Sequence, residues 1–315
     1  MRAYLLRRLV QFVPVLALAT VVIWAMIYAL PGNPALVVGG TDATPEQLAA
    51  ITARMGLDRP LPAQFATWLG HAVRGDMGSS FISGRSVTSL IADRLPATVQ
   101  LAVLAMVVVI LVGVPLGMAA ALAPRSWLGR LVNVVLAFGL AVPTFWLGIL
   151  LILALSIQFN LLPAASVFVP IWQDPFAALQ NTVLPALALG IPPATITARF
   201  VAASMSDVME RDFVRTARAK GASERVVVVR HALRNALLPA VTMTGVQLGH
   251  LLGGAIVVEV VFTYPGLGRL LYSALSSRDY ALIQGIVLLA VLIFLVLNMA
   301  IDILYAYLDP RIRMG

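Results

Sequence analysis

Six long runs of this chain contain no Asp, Glu, Lys or Arg, and they limit its possible folds more than any other feature. They are residues 9–41, 95–124, 131–173, 175–198, 235–258 and 280–301, and the shortest has 22 residues. About 20 apolar residues suffice to cross the hydrocarbon core of a membrane. Backbone groups in lipid must hydrogen-bond within the chain, so such runs become helices. The sequence therefore predicts an all-α, polytopic membrane protein.

Charge placement favours six transmembrane helices with both termini in the cytoplasm. The run 131–173 is long enough for two spans, but Asn160, Pro163 and Pro170 in its second half are typical of a loop. With one span per run, fifteen of the 22 Lys and Arg residues face the cytoplasm. A second span in 131–173 would place the basic stretch Arg199–Arg234 outside, against the positive-inside bias. We expect spans at about 9–30, 97–123, 131–159, 178–200, 236–259 and 280–304.

This topology divides the chain into four predicted parts. Residues 1–30 hold the N-terminal tail and the first helix, and residues 31–96 form an extracytoplasmic segment. A five-helix core covers 97–304 and includes a cytoplasmic loop at 201–235, and residues 305–315 form a cytoplasmic tail. In the outer segment, Thr44-Pro45-Glu46 is typical of a helix start. In span 4, Pro185, Pro192 and Pro193 predict a kinked or broken helix.

The composition excludes several classes of function. The net charge of +8 follows from the topology and suits anionic lipid headgroups, so no nucleic-acid partner is expected. The absence of cysteine excludes disulfides and thiolate metal sites, and we expect no bound metal. The sole lysine lies in Ala219-Lys220-Gly221 rather than in a phosphate-binding P-loop, and no HExxH or GxSxG pattern is present. We therefore expect a chain without catalytic residues, and a membrane enzyme is the less favoured alternative.

The stretch Arg199–Arg234 interrupts the apolar runs with eight basic and four acidic residues. Five residues within it have helical spacing and predict one apolar edge on a charged helix; they are Met205, Val208, Met209, Phe213 and Ala217. Gly221 stands where a left-handed C-terminal cap belongs, with Arg218 and Lys220 near the negative helix end. Ser223 could cap a second helix. The segment is either a solvated loop that only sets topology or a helix that docks into a cytoplasmic partner.

Span 5 contains the other candidate residues. Glycines at a spacing of four, which permits close helix approach, predict helix packing; they are Gly245, Gly249 and Gly253. Ionisable and polar groups within spans often serve function. A translocation pathway is therefore the alternative for this span, with Gln247, His250 and Glu259 as the candidate residues.

The sequence DFVRTARAKGASERVVVVRHALRNALLP strongly resembles the cytoplasmic loop of permease subunits from ABC-type importers. It is most similar to the peptide/nickel branch, where Arg-Thr-Ala-(three residues)-Gly replaces Glu-Ala-Ala-(three residues)-Gly. Further segments agree in order along nearly the whole chain: LRRLVQFVPVL, LPGNPA, RLPATVQLA, VPTFWLG, LLGGAIVVEVVFTYPGLGRLL, SSRDYALIQG and DPRIR. The chain is thus identified by resemblance as a dipeptide/oligopeptide-type permease with the type I importer fold.

The resemblance implies a bacterial inner-membrane complex. Its other members would be a second, homologous permease forming a heterodimer, two cytoplasmic ATPases that bind ATP and Mg²⁺, and an extracytoplasmic solute-binding protein. This chain would bind no cofactor, and its loop helix would couple the ATPases to the spans. The motif covers Arg215, Thr216, Ala217 and Gly221, and the docking surface would add Phe213, Arg218 and Lys220. Di- or oligopeptides are the expected solute, with nickel or a metal chelate, glutathione and opine-like solutes as alternatives. An ATP-independent channel or transporter would need no such helix.

Overall fold

The computed structural model describes residues 2–29, 34–40 and 43–308, and in this part of the chain it is helical with no strand beyond an isolated bridge between Ser79 and Ser86. The helices are α1 (Arg2–Ala29), α2 (Pro34–Gly39), α3 (Pro45–Arg54), α4 (Leu61–Val73), α5 (Val87–Leu122), α6 (Trp127–Ala141), α7 (Thr144–Leu151), α8 (Pro175–Met209), α9 (Asp212–Ala219), α10 (Glu224–Val226), α11 (Leu233–Val261), α12 (Leu267–Ser277) and α13 (Tyr280–Leu308). Two π-helical segments, Ile152–Gln158 and Val227–Ala232, continue α7 and α10. The predicted all-α fold is confirmed.

The described helices only partly account for six spans. Three are long and apolar enough to cross a membrane, namely α5, α8 and the Tyr280–Ile301 part of α13, and α6 with α7 would make a fourth if the pair counts as one bent span. At the two remaining predicted positions, α1 and α11 are 28 and 29 residues long, although the apolar part of α1 covers only Val10–Met26. The count of six therefore remains a prediction.

The predicted span 3 consists of two helical segments at a large angle to each other. The helical axis bends by 111° between α6 and the Thr144–Gln158 segment. Val142 at the break has φ −80° and ψ 121°, because a residue that precedes a proline is displaced from the helical region. The loop predicted after this span is present, since residues 159–174 are irregular.

Span 4 was predicted to be kinked or broken at its prolines; helix α8 runs continuously through all three of them, so no break is present. Its neighbours come unusually close at small residues. A Cβ on Gly113 or Gly117 of α5 would lie 2.8 or 2.5 Å from the carbonyl oxygens of Ala194 and Ala198. Glycine is therefore required at these positions of α5. The GxxxG spacing that allows α5 to pack closely against α8 thus lies in the predicted span 2.

The described residues form two compact units. The N-terminal unit comprises Met1–Pro96 and Gly266–Val296, and the core unit comprises Ala97–Pro265 and Leu297–Gly315. The core unit is built on α8, which packs against α6, α7 and α11. Its main apolar cluster joins residues of α5, α8 and α11 with Phe262 and Tyr264. No sequence pattern predicted that residues 266–296 group with the first 96 residues.

The N-terminal unit is held together by buried polar side chains as well as an apolar cluster. Asp279 is 2% exposed; its carboxylate accepts hydrogen bonds from the Ser80 hydroxyl and from the backbone N–H groups of Phe81 (3.1 Å) and Leu282 (3.4 Å). It thereby caps α13 and ties the 79–84 turn to it. In the same unit, α3 begins with the expected cap, since the Thr44 hydroxyl accepts the Gln47 N–H at 3.3 Å.

Candidate functional site: a short basic helix in the loop between two long helices

The charged loop folds into a short helix, α9, with a sharp exit. Gly221 has φ +80°, so the predicted left-handed cap is confirmed. Its N–H donates to the Arg218 carbonyl at 2.9 Å, and the Ala222 N–H donates to the Ala217 carbonyl at 3.2 Å. This pair of bonds is the Schellman pattern, which satisfies the last carbonyls of a helix and reverses the chain. At the other end, Asp212 lies in the first turn, where a negative charge is favoured.

The predicted apolar edge is wrong in one respect, because α8 ends at Met209 and α9 begins at Asp212. The break shifts the helical register, so Val214 rather than Phe213 becomes fully buried. Phe213 is 39% exposed. Val214 joins a small apolar cluster beneath the loop, together with Met205, Val208, Val227, Ala232 and Ala236. Helix α9 therefore packs on the core unit through Val214 and through Ala217, which contacts the same cluster.

The outer surface of α9 is basic and carries one aromatic ring. Phe213, Arg215, Thr216, Arg218, Lys220 and Gly221 are all exposed. The Arg218 guanidinium bonds both oxygens of Glu224, at 2.6 and 3.4 Å, across the Gly221 turn. Arg215 is 72% exposed and lies 3.6 Å from Asp212, which is 97% exposed. Exposed ion pairs contribute little to folding, so these charges remain available to a partner.

The chain leaves this turn through a π-helical segment that the sequence did not predict. Ser223 adopts the extended N-cap conformation, but its side chain caps no N–H. Residues Val227–Ala232 form the π-helix, against which α9 packs. Single π turns inside α-helices occur frequently at functional sites. Here the π-helix connects the α9 turn to the start of α11.

The three candidate pathway residues do not come together at one described place. Gln247 is 4% exposed and donates through Nε2 to the Pro193 carbonyl at 3.1 Å and to the Thr197 hydroxyl at 3.0 Å. It lines a mostly apolar cavity of about 310 Å³ between α6, α7, α8 and α11. Glu259 is fully buried and accepts a hydrogen bond from Thr98 at 2.7 Å, away from that cavity. The side chain of His250 lies outside the described residues.

Two family models cover this chain. Residues 113–314, more than half of the sequence, match the model described as "Binding-protein-dependent transport system inner membrane component". Residues 1–102 match the N-terminal model of the same transport systems. The chain belongs to this family.

Relatives of the permease agree over its full length. A protein of Brucella abortus (strain 2308), named as a putative peptide transport system permease protein, is 38% identical over 313 residues, 99% of each chain. The glutathione transport system permease protein GsiC of Salmonella paratyphi A is 42% identical over 310 residues, 98% of each chain. The chain is thus an ABC importer permease of the peptide family, an inner-membrane protein of a binding-protein-dependent system.

Solved structures show that the fold is shared with other importers. The inward-facing MetNI methionine ABC transporter has a TM-score of 0.54 at 16% identity, covering 70% of this permease and 96% of that chain. An amino acid ABC transporter crystallised with histidines has a TM-score of 0.52 at 16% identity, covering 70% and 94%. At this identity the likeness extends to the fold alone.

The glycines of span 5 differ in their surroundings. A Cβ on Gly245 would lie 2.9 Å from Ile301 of α13, so the predicted close packing is present there. A Cβ on Gly253 would meet no atom of the described residues within 4 Å. Gly249 is half-buried. The predicted helix packing therefore has a contact within this chain at Gly245, and it stays a prediction for Gly249 and Gly253.

Sequence reasoning missed two polar residues that organise the core unit. Gln100 is 7% exposed. Its amide oxygen accepts the Ile171 N–H at 3.0 Å, and its nitrogen donates to the Val169 carbonyl at 3.0 Å. It holds the irregular segment 159–174 against α5. Thr98, two residues earlier, bonds Glu259. A pair of polar residues two apart at the start of an apolar run is the only sequence signal for this arrangement.

Proposed function

We propose that this permease couples ATP hydrolysis by separate cytoplasmic ATPase subunits to the inward transport of short peptides, with α9 as the docking helix. The observation that carries the proposal is the construction of α9. Its inner side is seated by Val214, its outer side presents Phe213 with Arg215 and Lys220, and Gly221 ends it in the left-handed conformation. A short, capped helix that presents one aromatic ring among cations is suited to enter a groove on a partner.

The proposed complex contains a second, homologous permease, two ATPases and an extracytoplasmic solute-binding protein. The family description supports the binding protein, and the missing P-loop in this sequence supports an external source of energy. In this arrangement both termini of the permease lie in the cytoplasm. Closure of the ATPases would push on α9, and the π-helix Val227–Ala232 would pass the displacement to α11.

Short peptides are the proposed solute because the Brucella relative is named for peptide transport. Glutathione is the second candidate, supported by the 42% identity to GsiC. Gln247 and the cavity that it lines are the proposed part of the translocation pathway, since the amide offers a fixed hydrogen-bonding group within an apolar wall. Glu259 has a positioning role in this proposal because it is fully buried.

The experiment that tests this function is purification of the native complex with its binding protein, followed by mass spectrometry of the retained solute. We expect co-purification of an ATPase and release of a short peptide or glutathione. A complex without an ATPase would overturn the coupling proposal. A complex with an ATPase that retains an inorganic metal chelate or an opine would overturn only the proposed solute.

A further inference from the structure

The N-terminal unit contains a cavity of about 420 Å³ that none of the proposed coupling or pathway residues line. This volume falls within the range of small-molecule sites. One wall is aromatic: Trp24 and Tyr28 of α1 face α4, where Trp68 stacks on Phe65 with ring centroids 6.3 Å apart. Phe65 meets Trp24 edge-on at 5.4 Å. Such a wall is suited to an apolar side chain of a ligand.

The polar groups of this aromatic cavity are fixed in place. The Gln64 amide nitrogen donates to the Arg59 carbonyl at 2.7 Å and to the Leu57 carbonyl at 3.2 Å, while its oxygen accepts from the Tyr28 hydroxyl. Gln284 is only 7% exposed, and its nitrogen donates to the Trp24 carbonyl at 3.2 Å. The oxygen of the Gln284 amide has no hydrogen-bond partner among the described residues. The buried amide therefore presents an acceptor to the cavity.

Two charges of opposite sign stand on the cavity wall. The Arg59 guanidinium forms no ion pair within the described ranges and lies over Gly56, 3.9 Å from a Cβ built there. The Asp76 carboxylate accepts the Gly78 N–H at 2.9 Å and contacts His71 at 3.1 Å. These two contacts lower the pKa of Asp76, with the Gly78 N–H as the larger cause. The cavity thus combines an available cation with a persistent anion.

Building on the proposed transport of short peptides, we propose that the aromatic cavity is a binding site for short zwitterionic peptides, distinct from the cavity that Gln247 lines. The peptide carboxylate pairs with Arg59, because a guanidinium is the group that binds carboxylate in a bidentate manner. The Gln284 oxygen accepts a peptide N–H, and an apolar side chain packs on Trp24 and Trp68. A lipid phosphate would satisfy Arg59 equally, but it would bring a second anion towards Asp76.

The test is equilibrium binding of the dipeptide Ala-Phe and of its C-terminal amide to the full-length permease in phosphatidylcholine nanodiscs. We expect the wild-type protein to bind Ala-Phe at least about tenfold more tightly than the amide, the loss typical of one charge-assisted hydrogen bond. In Arg59→Gln the two peptides should bind equally. Arg74→Gln is the matched control, because Arg74 is exposed in the same segment and does not line the cavity.

Several outcomes would overturn the site. These are absence of saturable Ala-Phe binding, an Arg59→Gln protein that still prefers the free carboxylate, or an equal loss in Arg74→Gln. Competition by phosphatidylglycerol together with no response to Ala-Phe would assign the cavity to lipid and likewise reject the proposal. Trp68→Ala provides a second variant, for which weaker binding of both peptides is expected. Because the permease is tested alone, failure here leaves the coupling function intact.

Discussion

The backbone of Gly221 offers the sharpest test of coupling through α9. At φ +80°, an L-residue in the left-handed region costs about 1–2 kcal/mol, and a β-branched residue is a strong outlier there. A Cβ at this position would meet no atom of the described residues within 4 Å. A substitution therefore acts through the backbone alone. Gly221→Val and Gly221→Asn separate backbone strain from the mere presence of a side chain, because Asn tolerates this conformation far better than valine does.

The structure sets the size of the expected effect. If the chain relaxes to relieve the strain of a valine at this position, it loses the bonds from Gly221 N to Arg218 O and from Ala222 N to Ala217 O. Whether the valine keeps the strained conformation or the chain relaxes and loses these bonds, the cost is about 1–2 kcal/mol. This cost lowers the population of the native turn at Gly221 by about 5–30-fold relative to other conformations of the turn. The span helices do not depend on this turn, so insertion and expression should be unchanged.

The assay is transport and ATP hydrolysis in proteoliposomes containing the whole importer. In Gly221→Val we expect fewer solute molecules moved per ATP, whereas Gly221→Asn should remain close to the wild type. Detergent-extracted yield and melting temperature of both variants serve as the control for folding. Equal transport per ATP in Gly221→Val and wild-type importers, with both well expressed, would refute the role of this turn in coupling.

Three further perturbations test separate parts of the account. Arg215→Glu should weaken co-purification of the ATPase, and Arg215→Gln should have an intermediate effect. The melting temperature should stay constant because the Arg215 side chain is 72% exposed. Unchanged co-purification would show that Arg215 is not part of the docking surface. Gly117→Val should destabilise the permease by about 1–3 kcal/mol, because the new Cβ would lie 2.5 Å from the Ala198 carbonyl oxygen. Gly253→Ala should be tolerated, and thermal unfolding of the two variants provides the comparison. Asp279→Ala leaves three hydrogen-bond donors without their acceptor, so the free energy of unfolding should fall by about 1–3 kcal/mol. We expect faster limited proteolysis at residues 79–84. Resistance to proteolysis equal to that of the wild type would contradict the structural role of Asp279.

The predictions that hold depend on local chemistry. Charge-free runs became helices because lipid leaves the backbone no other partner. The cap at Gly221 and the helix start at Thr44 depend on a few neighbouring residues, and both are confirmed. The predicted apolar edge that included Phe213 assumed one continuous helix, whereas the chain breaks between Met209 and Asp212.

The features that were missed depend mostly on residues far apart in the chain. Asp279 accepts a hydrogen bond from a turn 199 residues away. Gly117 is constrained by the carbonyl of Ala198, and a GxxxG pattern alone does not say which helix it meets. The bend at Val142 is local, but one proline in a long apolar run is compatible with either a kink or a full break. The substrate is the least predictable part, since the cavity near Gln247 is largely apolar.

Docking of α9 on an ATPase is the central claim, and site-directed cross-linking tests it most directly. The chain contains no cysteine, so Lys220→Cys introduces a single thiol that can carry a maleimide photo-cross-linker in the assembled importer. Val73→Cys is the matched control, because Val73 is 79% exposed in the segment predicted to be extracytoplasmic. The account predicts an ATPase adduct from position 220 and none from position 73. Absence of an adduct at 220, or equal adducts at both positions, would contradict it.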